Sequence, residues 1–312
     1  VPSLAELLTD PAPARPVITA ECPMVDGGGL DTISEHVRRL APYVDALNAT
    51  DNAAAHAHAS NVGVAIALKR FGVEPIMQVA CRDKNRLALE ADIVGAALHD
   101  VTTICCMTGD DITAGDEPEA LRVFDMDSPQ LIRTASTLAR GRYLSGRTLD
   151  PAPPLLIGAV ENPGAPPYSY RVRRGLKKAA AGARFLQLQI CYNEDRLAEF
   201  TKLAENVGLS RKVALLPTIC LVKGAKALRF MNEKVPGISV PEPVIERVAN
   251  ASDEREAAYQ LALEQARDAL SLPGVRGLHF TDFRHDDALG RIVADLGLPT
   301  IRSAPDGEAL AV

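Results

Sequence analysis

Eight short apolar runs, each closed by a breaker, constrain this chain more than any other feature. They are "PVITAEC" (16–22), "VDALNATD" (44–51), "EPIMQVAC" (74–81), "TTICCMTGD" (102–110), "PLLIGAVEN" (154–162), "FLQLQICYN" (185–193), "VALLPTICLV" (213–222) and "GLHFTDFR" (277–284). Runs rich in β-branched residues and bounded by turn formers read as strands. Between them, "DTISEHVRRLAPY", with a candidate cap at Asp31, and "KNRLALEADIVGAALHD" carry apolar residues at helical spacing. "EDRLAEFTKLAENVG" is a third such pattern and stops on Gly208. Most repeats are roughly 28 residues, the length a strand and a helix need to return beside a parallel neighbour. Continuously apolar strands are what a sheet covered on both faces demands. Eight such units predict an α/β chain closed into a single (β/α)8 TIM barrel. A doubly wound sheet would announce itself with GxGxxG after its first strand, whereas "VDGGGLD" has three adjacent glycines.

The 312 residues suffice for one large core or two small ones. Residues 1–15 read as an N-terminal capping segment without a signal-peptide pattern, and 16–312 as the barrel and catalytic domain. Two connections are long enough to decorate the barrel: "DITAGDEPEALRVFDMDSPQ" and "VPGISVPEPVIERVANASDEREAAYQ". A net charge of −6 argues against a nucleic-acid partner. The one notable basic run, "RVRRGLKK" (171–178), reads as a solvated helix face, with an anion site as the alternative. No apolar stretch approaches the roughly 20 residues that span a bilayer, so no membrane partner is expected. The six cysteines lie in apolar runs without CxxC spacing and read as reduced core thiols of a cytoplasmic protein. Barrels often pair through their outer helices, so a homo-oligomer is an open expectation.

Chemistry in such a barrel sits at the carboxyl ends of the strands. There the sequence places Glu21; Asn48, Thr50 and Asp51; Gln78; Asp110 and Asp111; Glu161 and Asn162; Gln187, Gln189 and Asn193; Thr218; Asp282 and Arg284. A purely structural barrel would fill these positions with Val, Ile and Leu. Amides and carboxylates at this density need a ligand or a hydrogen-bond network to satisfy them. Glu21, between Ala20 and Cys22, is expected to be desolvated, and with Asp110 nearby to hold a proton near neutrality as a general acid. Asp110, beside Gly109, is expected to stay ionised, to accept two hydrogen bonds from an amidine-like edge or to stabilise a cation. Gln189 suits a lactam edge such as a pteridine's.

At these residues the chain resembles the methylenetetrahydrofolate reductase family from about Pro16 to Pro299. The resemblance rests on "AECP", "TGDD" before a long loop, "LKKAAAGARFLQLQICYN", "LLPTICLVKGAKALRF" and "GVRGLHFTDFR". It implies that Glu21 protonates the folate as its five-membered ring opens to an N5-iminium. It also implies that Asp110 and Gln189 hold the pterin and that Thr50, at the end of strand two, contacts the substrate. Hydride would then reach the exocyclic methylene to give 5-methyltetrahydrofolate, in one-carbon metabolism that serves methionine biosynthesis. Flavin-dependent members usually carry His, Arg and Tyr where this chain has Gln78, Thr108 and Glu161; Lys178 matches a flavin-phosphate lysine. An aromatic expected near Lys223–Ala225 is also missing. These departures count against FAD, and the chain resembles the family's flavin-independent actinobacterial branch. There NADH or NADPH passes hydride directly to the folate, with Asn48, Gln78, Glu161 and Lys178 as candidate contacts to the nucleotide. Arg284 is a candidate for the folate's benzoate-glutamate tail.

Three alternatives stand beside this reading. One is an FAD-dependent reductase of the same family. Another is a metal-dependent hydrolase or lyase using His56 and His58 of "AHAHAS", although two-residue spacing aligns ligands on a strand and not on a helix or loop; the preferred reading has no metal. The last is a non-catalytic folate or nucleotide binder. His279 reads as a satisfied core histidine.

Overall fold

A computed structural model describes residues 3–10, 13–235 and 237–302. The expected domain limits at residues 1 and 312 lie outside the described residues. All eight apolar runs form strands: β1 Val17–Glu21, β2 Ala46–Ala49, β3 Glu74–Ala80, β4 Thr103–Met107, β5 Leu156–Glu161, β6 Phe185–Leu188, β7 Ala214–Leu221 and β8 Gly277–Asp282. They pair in parallel in sequence order, and β8 returns to β1 with Thr19 beside His279, closing the barrel. The three helical patterns become Gly29–Leu40, Arg86–Ala97 and Glu194–Asn206. The first begins earlier than expected: Gly28, left-handed at φ 75°, takes the cap position, and Asp31 falls inside the first turn. Its carboxylate still favours that helix end.

The barrel is packed, not hollow. Its lower interior is filled by Val17, Ala46, Ile76, Cys105, Phe185 and Leu216, and the short helix Leu4–Thr9 caps this end with buried Leu4, Leu7 and Leu8. Burying one such leucine contributes about 1.5–3 kcal/mol. Gly158 of β5 is required here, because a Cβ at that position would lie 2.1 Å from the Phe185 ring. The outer helices seal the other face of each strand in one large apolar cluster.

The two long connections do different things. Residues after β4 form a 3-10 turn at Ile112–Ala114 and fold onto the loop after β2, where the Asp116 carboxylate accepts from the Ala57 amide at 3.1 Å. After β7 come three helices, Ala225–Lys234, Glu242–Ala249 and Glu254–Ser271, which share a second apolar cluster with Tyr192, Cys220 and Val222. All six cysteines are free, five of them buried and Cys191 half-buried. No helix among the described residues is long and apolar enough to cross a membrane.

Candidate active site

A cavity of about 370 Å³ opens at the carboxyl ends of the strands. Glu21, Gln78, Asp110, Glu161, Lys178 and Gln189 all line it. Glu21 is the last residue of β1; it keeps an edge open to the cavity while protein surrounds its carboxyl group. Burial pushes its pKa up to about 7, and a hydrogen bond from the Gln78 side chain offsets part of that rise. Asp110, expected to add to the shift, is not among its causes. Desolvation alone accounts for the rise.

The two acids that end the β4 run separate cleanly. Asp111 caps the 3-10 turn through the Thr113 amide at 3.0 Å and takes a bidentate pair from Arg122, both bonds 2.8 Å. Arg122 and the Thr113 hydroxyl hold its carboxyl well below the usual range. It is a structural acid. Asp110 is exposed at the cavity mouth and makes no hydrogen bond among the described residues. Gly109 aims it there from a left-handed φ of 92°, where a Cβ would also press on Arg82 at 3.0 Å. Replacing Asp110 by Asn, which keeps the shape and removes the charge, is expected to lower kcat/KM for a cation-forming substrate by about tenfold or more. Steady-state kinetics at fixed pH checks this, and an unchanged value would remove the contact.

Gln189 lies just past β6, where its Oε1 accepts from the Ile190 amide at 2.9 Å. That bond fixes the amide and leaves its NH2 group to donate. Three other expected residues sit elsewhere. Asn48 is fully buried inside the barrel, in a reciprocal amide pair with Gln187 at 2.8 and 3.1 Å, and is not in the cavity wall. Thr50 is buried behind that wall. Arg284 is turned away from it: its guanidinium holds Asp286 and the Val222 and Arg255 carbonyls, bracing the loops after β7 and β8. Strand-end position predicted these three, but Asn48 is held below the cavity by Gln187, Thr50 is buried outside the lining, and Arg284 is held by the neighbouring loops.

The basic run is the largest correction. Arg171, Arg174 and Lys178 share one face of the helix Tyr168–Ala181 and line the cavity, while Arg173 and Lys177 face solvent. Lys178 and Glu161 are each 1% exposed and meet at 2.9 Å; Arg171 and Arg174 each approach Glu161 to 3.7 Å. Three cations against one carboxylate leave two positive charges at this end of the cavity. Burial pulls the Lys178 pKa down, with Glu161 opposing. The spacing of i, i+3 and i+7 in the helix after β5 was the signal that would have found this face. Arg82 gave no such signal. Its side chain, 2% exposed, also lines the cavity, pairs with Asp83 at 2.7 Å and holds the Asn52 carbonyl at 3.0 Å.

The two histidines make separate contacts. His58 Nδ1 pairs with Asp26 and His56 Nδ1 lies 3.1 Å from the Ala54 carbonyl. No group of three or more His, Cys, Asp or Glu side chains able to hold a metal comes together among the described residues.

A closed eightfold barrel with a desolvated acid and an exposed carboxylate lining one cavity at its carboxyl rim defines a TIM-barrel protein. The chain belongs to the methylenetetrahydrofolate reductase family, whose model matches residues 22–297. Two solved structures share the fold. An uncharacterized protein from Clostridium thermocellum that binds two copies of 5-methyl-5,6,7,8-tetrahydrofolic acid is 14% identical, with a TM-score of 0.58 over 90% of this chain and 95% of that one. EDTA monooxygenase (EmoA) from Chelativorans sp. BNC1 is 11% identical, with a TM-score of 0.53 over 96% and 98%.

Proposed function

We propose that this chain reduces 5,10-methylenetetrahydrofolate to 5-methyltetrahydrofolate by direct hydride transfer from NADH or NADPH. The observation that carries the reading is Glu21, a carboxyl group with a pKa of about 7 in the same cavity as Asp110 and Gln189. Glu21 gives its proton to the substrate as the five-membered ring opens, and the positive charge is left on the N5-iminium. Asp110, which makes no hydrogen bond among the described residues, takes the amidine edge of the pterin and favours that cation. Gln189 donates its free NH2 to the pterin carbonyl. The reduced nicotinamide delivers hydride to the exocyclic methylene carbon, which becomes the methyl group. Family membership and the folate-binding Clostridium thermocellum protein of the same fold support a folate substrate.

The surplus charge at Arg171 and Arg174 suits the diphosphate of the hydride donor. Glu161 has less freedom than its strand-end position implied. One oxygen accepts from Lys178 and the other from the Asn162 amide, so it tunes the cationic face and is not free for the nicotinamide carboxamide.

The residues present do not fit FAD. Among the described residues, no Phe, Tyr or Trp lines the cavity to stack an isoalloxazine. Thr108, where an arginine would hold phosphate, accepts from the Ser128 amide at 3.1 Å. Purified protein is therefore expected to be colourless at about 450 nm and to oxidise NADH or NADPH only when methylenetetrahydrofolate is added. Stoichiometric flavin after gentle purification would overturn direct transfer. Absence of folate-dependent oxidation with either nucleotide would overturn the reductase reading, and loss of activity with EDTA would revive the metal alternative.

A further inference from the structure

Beneath Glu21 the barrel holds a polar chain that the chemistry above leaves without a role. Asn48 and Gln187 exchange amide hydrogen bonds, and Gln187 Nε2 also lies 3.2 Å from His279 Nδ1. Thr19 Oγ1 meets the same nitrogen at 2.9 Å. An amide NH2 has no lone pair to offer, so Nδ1 is the acceptor, and the proton of the neutral ring is left on Nε2. Burial pulls the His279 pKa down to about 3, which keeps the ring neutral throughout the working range. His279 lines the cavity, and its Nε2 has no hydrogen-bond partner among the described residues. Thr19 is its register partner across β1 and β8, and Glu21 lies two residues further along β1 on the same face.

We propose that His279 is the neutral hydrogen-bond donor of the site, its Nε2–H meeting an acceptor atom of the bound folate from the barrel floor. The proposal rests on the folate reading for its ligand, while the tautomer rests on Thr19, Asn48 and Gln187 alone. Neutrality matters chemically. An imidazolium here would repel the cation that Glu21 generates, whereas a neutral N–H orients the ring without that penalty. The chain of amides explains why Asn48 and Gln187 are polar at positions that a structural barrel would fill with aliphatic residues.

Two isosteric substitutions separate the two nitrogens. In His279→Asn the side-chain oxygen replaces Nδ1 and preserves the network, but the donor to the cavity is lost. In His279→Gln the amide nitrogen stands near Nε2 and restores that donor. His279→Asn is expected to lose about tenfold or more in kcat/KM for methylenetetrahydrofolate while melting close to wild type. His279→Gln is expected to recover most of that loss and to melt lower. Nitrogen-15 NMR of histidine-labelled wild type is expected to show the proton on Nε2. Both variants at wild-type activity, both equally depressed, or a proton on Nδ1 would each overturn the proposal. Wild-type protein that consumes no folate while showing the Nε2–H tautomer would fail the substrate reading and keep the ring assignment, so the two failures are distinguishable.

Discussion

Glu21→Gln is expected to lower kcat by about 10²–10⁴-fold, the range that a positioned general acid supplies. The amide keeps the shape and the neutrality of the protonated acid but has no proton to give. Its fold is expected to be intact, and its stability reports the same group independently. The Glu21 pKa is about 7 in the folded chain against an ordinary value of 4.5. Below the lower value both states are protonated and nothing is lost. Between the two, the unfolded chain ionises first and binds fewer protons than the native one, so stability falls as pH rises. Above about 7 the full penalty of about 3 kcal/mol is present. Wild-type melting temperature should therefore decline between these two values through this group, and Glu21→Gln should remove that component. Activity should fall in the wild type as pH rises through about 7, where the acid is lost. Thermal melts and kcat profiles over this window check both, and a variant with full turnover would end the general-acid role.

Lys178→Met is the second large effect, and it acts on stability. The ammonium and the Glu161 carboxylate are each 1% exposed at 2.9 Å, so removing the cation leaves a buried carboxylate facing only the more distant arginines. Breaking a buried pair from one side costs about 3–5 kcal/mol, because the remaining charge stays desolvated. Lys178→Met with Glu161→Leu should recover much of that loss, since no buried charge is then unpaired. Denaturant titration of these two variants and of Glu161→Leu alone measures the difference. Two single losses that simply add would show that the pair is not coupled. The double variant should also weaken nucleotide binding less than Arg171→Ala with Arg174→Ala, because those two side chains carry the charge left over at the cavity.

How far each of these residues was legible follows from where its partners lie. Glu21 could be read because an acid ending an apolar run is a local signal: it closes β1, Val17–Glu21, whose other residues are buried. Sequence reading assigned Asp110 a role and Asp111 none, but only the fold shows why Asp111 is occupied: Arg122, eleven residues on, pairs with it. Arg284 sat at a strand end as the folate-tail reading required, yet Asp286 and two distant carbonyls claimed its guanidinium. Arg171 and Arg174 passed for surface charge because basic residues on a helix usually are solvated; only packing against β5 turns their face inward.

The sequence by itself determined the strands and their closure into a barrel, because apolar periodicity and repeat length are properties of adjacent residues. It also determined which strand ends carry polar groups. The tertiary structure decided which of those groups share a cavity and which partner one another, as Asn48 partners Gln187 across 139 positions. Hydrogen bonds and ion pairs act over about 3–4 Å, and no local pattern encodes which distant side chain arrives within that reach.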